Sequence, residues 1–190
     1  MRRPSVRSRH RPDGSGALSL RAVARRASVS ATAPYRHYAD RDALVSAVAA
    51  QGYRELAEHL TAAHPSPEAP DDLAAVAVAY VRFALDHPAL FRVMFTERCD
   101  PNNEERVSAT IGIWEYVRSI VHNTFPHVDP DALATSIWAL VHGLAFLHLE
   151  GKLDVSSPDV VAAQVRAAVH ALFAASPAMS QTAASPKPGS

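Results

Sequence analysis

The chain has 190 residues, 48% hydrophobic and 20% charged, enough to build a core and too apolar for a disordered chain. Its 36 alanines and only 7 glycines favour packed helices over sheets, and no segment shows a strand period. The single cysteine, Cys99, excludes an internal disulfide framework and most cysteine-based zinc sites. The formal net charge of zero hides a split. Residues 1–60 hold 11 arginines against 5 acids (+6), and residues 61–190 hold 8 basic against 14 acidic side chains (−6). A basic front on an acidic body is the charge layout of a chain whose N-terminal part meets a polyanion. Met1 to Arg11 is basic but lacks the apolar run of a signal peptide, so a cytoplasmic location is expected.

Residues 1–17, with five arginines, two prolines and Gly14 and Gly16, read as a basic disordered arm. Ser19 then caps a short helix, Leu20–Ala27, with Leu20, Val23, Ala24 and Ala27 at helical spacing. Ser28-Val29-Ser30 interrupts it, and Ser30 caps a second short helix to about Tyr38. Pro34 is tolerated there because it lies within about one turn of the start. Asp40 is the expected cap of a helix over 41–63 carrying Leu44, Val45, Val48, Tyr53, Leu56 and Leu60. At 1.5 Å per residue that helix is about 34 Å long, a lever between front and body.

The segment from His64 to Pro70 reads as a linker. Asp71 and Asp72 open a helix over Leu73–Asp86 that stops at His87-Pro88, and a shorter one follows over Ala89–Thr96. A polar break at Asp100–Asn103 precedes a helix over about 103–125, closed by Pro126. Asp129-Pro130-Asp131 opens another to about Glu150, with Gly151 as its stop. Ser157-Pro158-Asp159 opens the last, over 158–175, and 176–190 reads as a disordered tail. The fold class is therefore all-α. Ala132–Leu149 contains no charge and reaches the lower length limit of a membrane span, but Thr135, Ser136, His142, Gly143 and His148 favour burial in protein. No membrane partner is expected. A helix apolar nearly all round, in a chain this small, predicts a second subunit against it.

Residues 19–44 hold the strongest motif. Two short helices, a three-residue turn and a long following helix make a helix-turn-helix reader. Leu20, Val23, Ala27 and Val29 pack the pair, leaving Thr32, Tyr35, Arg36 and His37 to face outward, with Arg25, Arg26 and Arg41 as flanking charge. Tyr and Thr hydroxyls, His and helix-start N–H groups suit phosphate oxygens, and Arg36 suits a guanine edge.

This segment resembles the DNA-binding domain of the TetR family of bacterial transcription regulators, most closely over Ala33-Pro34-Tyr35-Arg36-His37-Tyr38-Ala39-Asp40-Arg41-Asp42-Ala43-Leu44. Further on, Ser136-Ile137-Trp138-Ala139-Leu140-Val141-His142-Gly143 resembles the Trp-His-Gly signature of one C-terminal subtype, the WHG domain. The resemblance spans about 18–175. It implies an all-α homodimer: a helix-turn-helix DNA-binding domain over 18–63 and a ligand-binding and dimerisation bundle over 71–175. It implies a regulator, usually a repressor, that a small ligand releases from a palindromic operator of double-stranded DNA. The implied DNA-facing residues are Arg21, Thr32, Ala33, Tyr35, Arg36, His37 and Arg41, and dimerisation falls to helices 131–150 and 158–175. Two features depart from the family. Arg11–Gly16 stands where members carry a first apolar helix, and Ser28 stands where they carry a turn glycine. The alternative is a dimeric helical ligand- or protein-binding module whose DNA binding is impaired because that first helix is absent.

In the body, Tyr80, Phe83, Phe91, Met94, Trp114, Val117, Trp138, His142 and Phe146 are candidates to line an apolar ligand cavity. His122, His127 and His148 form no i, i+4 metal pair, so no metal or other cofactor is expected. No phosphate-binding glycine loop, Gly-x-Ser-x-Gly or His-Glu-x-x-His occurs, and no enzymatic activity is expected.

Overall fold

The computed structural model describes residues 37–174; the expected arm over 1–17, nearly all of the two expected short helices between Leu20 and Tyr38, and the expected tail over 176–190 lie outside them. Six α-helices make up the described residues: α1 (Arg41–Ala63), α2 (Pro70–Asp86), α3 (Pro88–Thr96), α4 (Glu104–Thr124), α5 (Pro130–Leu149) and α6 (Pro158–Ala174). Several boundaries have a visible local cause. Asp40 is extended (φ −153°, ψ −174°), and its carboxylate accepts from the Ala43 N–H at 2.8 Å, which caps α1. Asn103 does the same for α4 by accepting from Arg106 N–H, and Asp129 for α5 by accepting from Asp131 and Ala132 N–H. Gly151 ends α5 with φ +63°, a left-handed conformation that costs glycine little.

The helix α2 begins at Pro70, one turn before the expected Leu73. Pro70 needs no N–H partner at a helix start, and the Asp72 carboxylate reaches back to accept from Glu68 N–H and Ala69 N–H, both at 2.9 Å. These bonds, led by that from Glu68, hold the Asp72 carboxyl below the usual carboxylate range. Pro88 then excludes the helical conformation for His87, and the chain bends by 103° between α2 and α3.

Buried along most of its length, α2 is the centre of the bundle and packs against α1, α5 and α6. Against α2, α3 and α4, α1 presents Val45, Ala49, Tyr53, Leu56 and Leu60, a stripe at helical spacing. Gly52 lies on the same face, and a Cβ there would come within 2.6 Å of the Met94 sulfur, so the absent side chain lets α3 approach α1 closely. The helix α5 is long and apolar enough to cross a membrane, with mean hydropathy 1.6 over its best window, a third of which is buried within the chain. It buries Leu133, Ala134, Ile137, Val141 and Ala145 and leaves Ala139, Gly143 and Leu147 exposed. The neighbouring α6 likewise exposes Ala163, Ala167 and Ala171.

Candidate functional site

A cavity of about 50 Å³ lies inside the bundle, walled by five of the six helices. Tyr53, Leu56 and Leu60 come from α1, Val76 and Tyr80 from α2, and Phe95 from α3. Ile113, Trp114, Val117 and Ile120 come from α4, and Ile137, Trp138 and Val141 from α5. Helical spacing explains the set: on each element these residues recur every three or four positions, so one stripe per helix faces inward. The indoles of Trp114 and Trp138 are tilted by 47° with centroids 5.9 Å apart.

Few polar groups face this space, and most are already bonded. The Tyr53 hydroxyl donates to the Met94 carbonyl at 3.0 Å, and the Thr110 hydroxyl to the Arg106 carbonyl at 2.8 Å. Tyr80 shares a 3.0 Å hydrogen bond with Nδ1 of His142. Burial raises the Tyr80 phenol far above its ordinary value, with the Trp138 side chain partly offsetting this, so the hydroxyl stays protonated. Burial also lowers the proton affinity of His142, which is neutral at pH 7.

Of the sequence candidates, Tyr80, Trp114, Val117 and Trp138 line the cavity. His142 stands behind Tyr80 among Phe91, Phe95 and Phe146, whose ring centroids lie 4.6–5.7 Å from the imidazole. Phe91 and Phe146 are packed on each other 5.5 Å apart, Phe83 stacks on His87 at 4.8 Å, and Met94 fills the space over Gly52. These residues support the walls without facing the cavity. Apart from Val117, the aliphatic wall from α1 and α4 was not among the candidates, because nothing in sequence separates Leu56 or Ile113 from ordinary core residues.

Because His142 binds a proton less readily in the fold than in the unfolded chain, its neutral form contributes stability that is complete above about pH 6.5. That stability is lost as pH falls toward the lowered folded value. Urea unfolding at pH 7.5 and pH 5.5 should show wild type losing more stability on acidification than His142→Gln. Equal losses would contradict this.

A second cluster joins α1 to α3. Arg41, the first residue of α1, donates to the Glu97 carboxylate at 2.6 Å, just past the end of α3. The buried Ser46 hydroxyl accepts from Asp100 N–H at 2.8 Å. With the Tyr53–Met94 bond and the Gly52 contact, the N-terminal half of α1 is fastened to α3 and the segment after it. Phe95 of α3 meanwhile faces the cavity, two residues before Glu97. Of the expected DNA-facing residues, His37 is exposed in a turn and Arg41 is partly buried in this cluster. Arg21, Thr32, Ala33, Tyr35 and Arg36 lie outside the described residues. Among the described residues, no three His, Cys, Asp or Glu side chains gather as a metal-binding group.

Residues 73–172, just over half of the chain, match the family described as "Tetracyclin repressor-like, C-terminal domain". Among curated proteins none matches significantly. Several solved structures are similar, two of them as follows. A protein with unknown function from Rhodococcus sp. RHA1 is 33% identical with a TM-score of 0.65, over 84% of this chain and 87% of that one. A structure described as "putative regulatory protein SCO4313" is 25% identical with a TM-score of 0.54, over 85% and 88% of the two chains. The family match spans α2 to α6, four of the five helices that wall the cavity. The chain belongs to the tetracycline-repressor-like family through this C-terminal domain.

Proposed function

We propose that the chain is a cytoplasmic, homodimeric transcription regulator, a repressor that a small ligand releases from a palindromic operator. The family membership supports a regulator, and the +6 charge of residues 1–60 with the helix-turn-helix pattern of 19–44 supports DNA as the partner. Trp138, His142 and Gly143 favour the Trp-His-Gly subtype for the C-terminal domain. The exposed small and apolar residues of α5 and α6 favour packing of these two helices against a second protomer. Two recognition helices then enter successive major grooves about 34 Å apart.

One observation carries the regulatory part: α3, which walls the cavity, runs directly into the segment that holds the start of α1. At about 50 Å³ the cavity is smaller than the roughly 150 Å³ that accommodates a benzene-sized guest, so an organic ligand must displace its walls. Among those walls are Tyr53, Leu56 and Leu60 of α1 and Phe95 of α3, and α3 leads directly to the Glu97 that grips Arg41. Displacement there shifts the start of α1, and with it the reader that precedes α1 in the chain. Ligand and DNA thus oppose each other through one equilibrium. A tenfold loss of operator affinity needs a ligand preference of about 1.4 kcal/mol for the non-binding state.

Selection from a randomised duplex pool by mobility shift tests this. The expected outcome is a palindromic consensus, with Arg36→Ala relaxing preference at one base pair per half-site and Tyr35→Ala weakening all sequences alike. A pool that shows no enrichment would contradict the DNA-binding reading.

A further inference from the structure

The lining of the cavity also specifies the chemistry of what enters it, an inference that rests on reading the cavity as the ligand site. None of its wall residues is Asp, Glu, Lys or Arg. An ion entering it would lose its hydration with no opposite charge in return, a penalty that no apolar contact offsets. His142, behind Tyr80, is kept neutral by burial and offers no positive charge to an anion, and Arg106, whose charge acts on Tyr53, is not among the wall residues.

The walls are also markedly aromatic. Trp114, Trp138, Tyr53, Tyr80 and Phe95 surround the space, and tilted rings pair well with a further ring inserted among them. Polar recognition is narrow. The Tyr53 and Thr110 hydroxyls spend their protons on backbone carbonyls. Tyr80 differs in its partner rather than in acceptor capacity: Nδ1 of His142 donates or accepts according to its tautomer, so the pair can turn its proton to suit a ligand hydroxyl or N–H.

We propose that the cavity binds uncharged, ring-bearing molecules with a single hydroxyl or N–H group that meets the Tyr80–His142 pair, and that it rejects ions of the same shape. Four probes of near-equal size separate the elements of this statement: p-cresol, toluene, 4-methylbenzoate and 4-methylbenzylamine. Trp114 and Trp138, the only tryptophans of the chain, both lie on the cavity wall, so intrinsic fluorescence of the full chain reads occupancy directly.

The expected result is saturable binding of p-cresol, with the anion and the cation weaker by about a hundredfold or more. Toluene should bind about tenfold more weakly than p-cresol. Tyr80→Phe should reduce p-cresol to the toluene level and leave toluene unchanged. Should that variant melt before it can be titrated, the wild-type ratio of p-cresol to toluene still decides the hydrogen-bonding element. Binding of 4-methylbenzoate or 4-methylbenzylamine within tenfold of p-cresol, or equal binding of p-cresol and toluene, overturns the inference while leaving the cavity as the ligand site. A fluorescence signal that saturates with none of the four overturns both.

Discussion

Replacing Phe91 by Ala is expected to lower the unfolding free energy by about 3–5 kcal/mol, a large part of the 5–15 kcal/mol typical of a domain. Phe91 is fully buried, and its ring touches those of Tyr80, Phe95, His142 and Phe146 at centroid distances of 4.7–5.7 Å. Truncation removes the transfer energy of the ring and leaves a void at the junction of α2, α3 and α5, where surrounding side chains already hold one another and cannot collapse inward. The same truncation at Ile111 of α4, which is 49% exposed, should cost no more than about 0.5 kcal/mol. Urea unfolding of the two variants makes the comparison. A loss below about 1 kcal/mol for Phe91→Ala would mean that the aromatic cluster is not a fixed support for the cavity wall.

The second large effect concerns salt. If each protomer of a dimer neutralises about three phosphates with the arginines of its N-terminal part, six counterions are released and the slope of log affinity against log salt is about −5. Raising salt fourfold, from about 50 to 200 mM, then weakens operator binding by roughly a thousandfold. The 11 arginines of residues 1–60 against 5 acids make this number of contacts reasonable, and the acidic remainder of the chain adds none. Fluorescence anisotropy with labelled duplex across a salt series measures the slope. A change of less than tenfold over that range would mean that the basic front does not meet the DNA backbone.

The six described helices were legible in the sequence because most of their ends are set by local chemistry. Asp40, Asn103 and Asp129 offer a carboxylate or amide to unpaired N–H groups, and His87-Pro88 and Gly151 stop helices for steric reasons that need no distant partner. The early start of α2 was missed because it depends on Asp72 reaching back to Glu68 and Ala69, which lets the first turn include Pro70. The cavity was only partly legible. Periodicity tells which face of α2 or α5 points inward, but not which inward residue adjoins empty space and which adjoins a ring. Tyr80 and Trp138 therefore lie on the wall, while Phe91 and Phe146 fill the layer behind it. The Arg41–Glu97 bond joins positions 56 apart and had no signal in sequence at all, since Arg41 reads there as a DNA-facing charge and nothing pairs it with Glu97.

The account depends most on the chain being a sequence-specific DNA binder. Anisotropy of the full chain with the selected palindrome and with a scrambled duplex of equal length and composition tests this directly, at a single moderate salt concentration. The predicted result is a palindrome affinity at least about a thousandfold above that of the scrambled duplex, with two protomers bound per site. Equal affinity for the two duplexes would contradict the account.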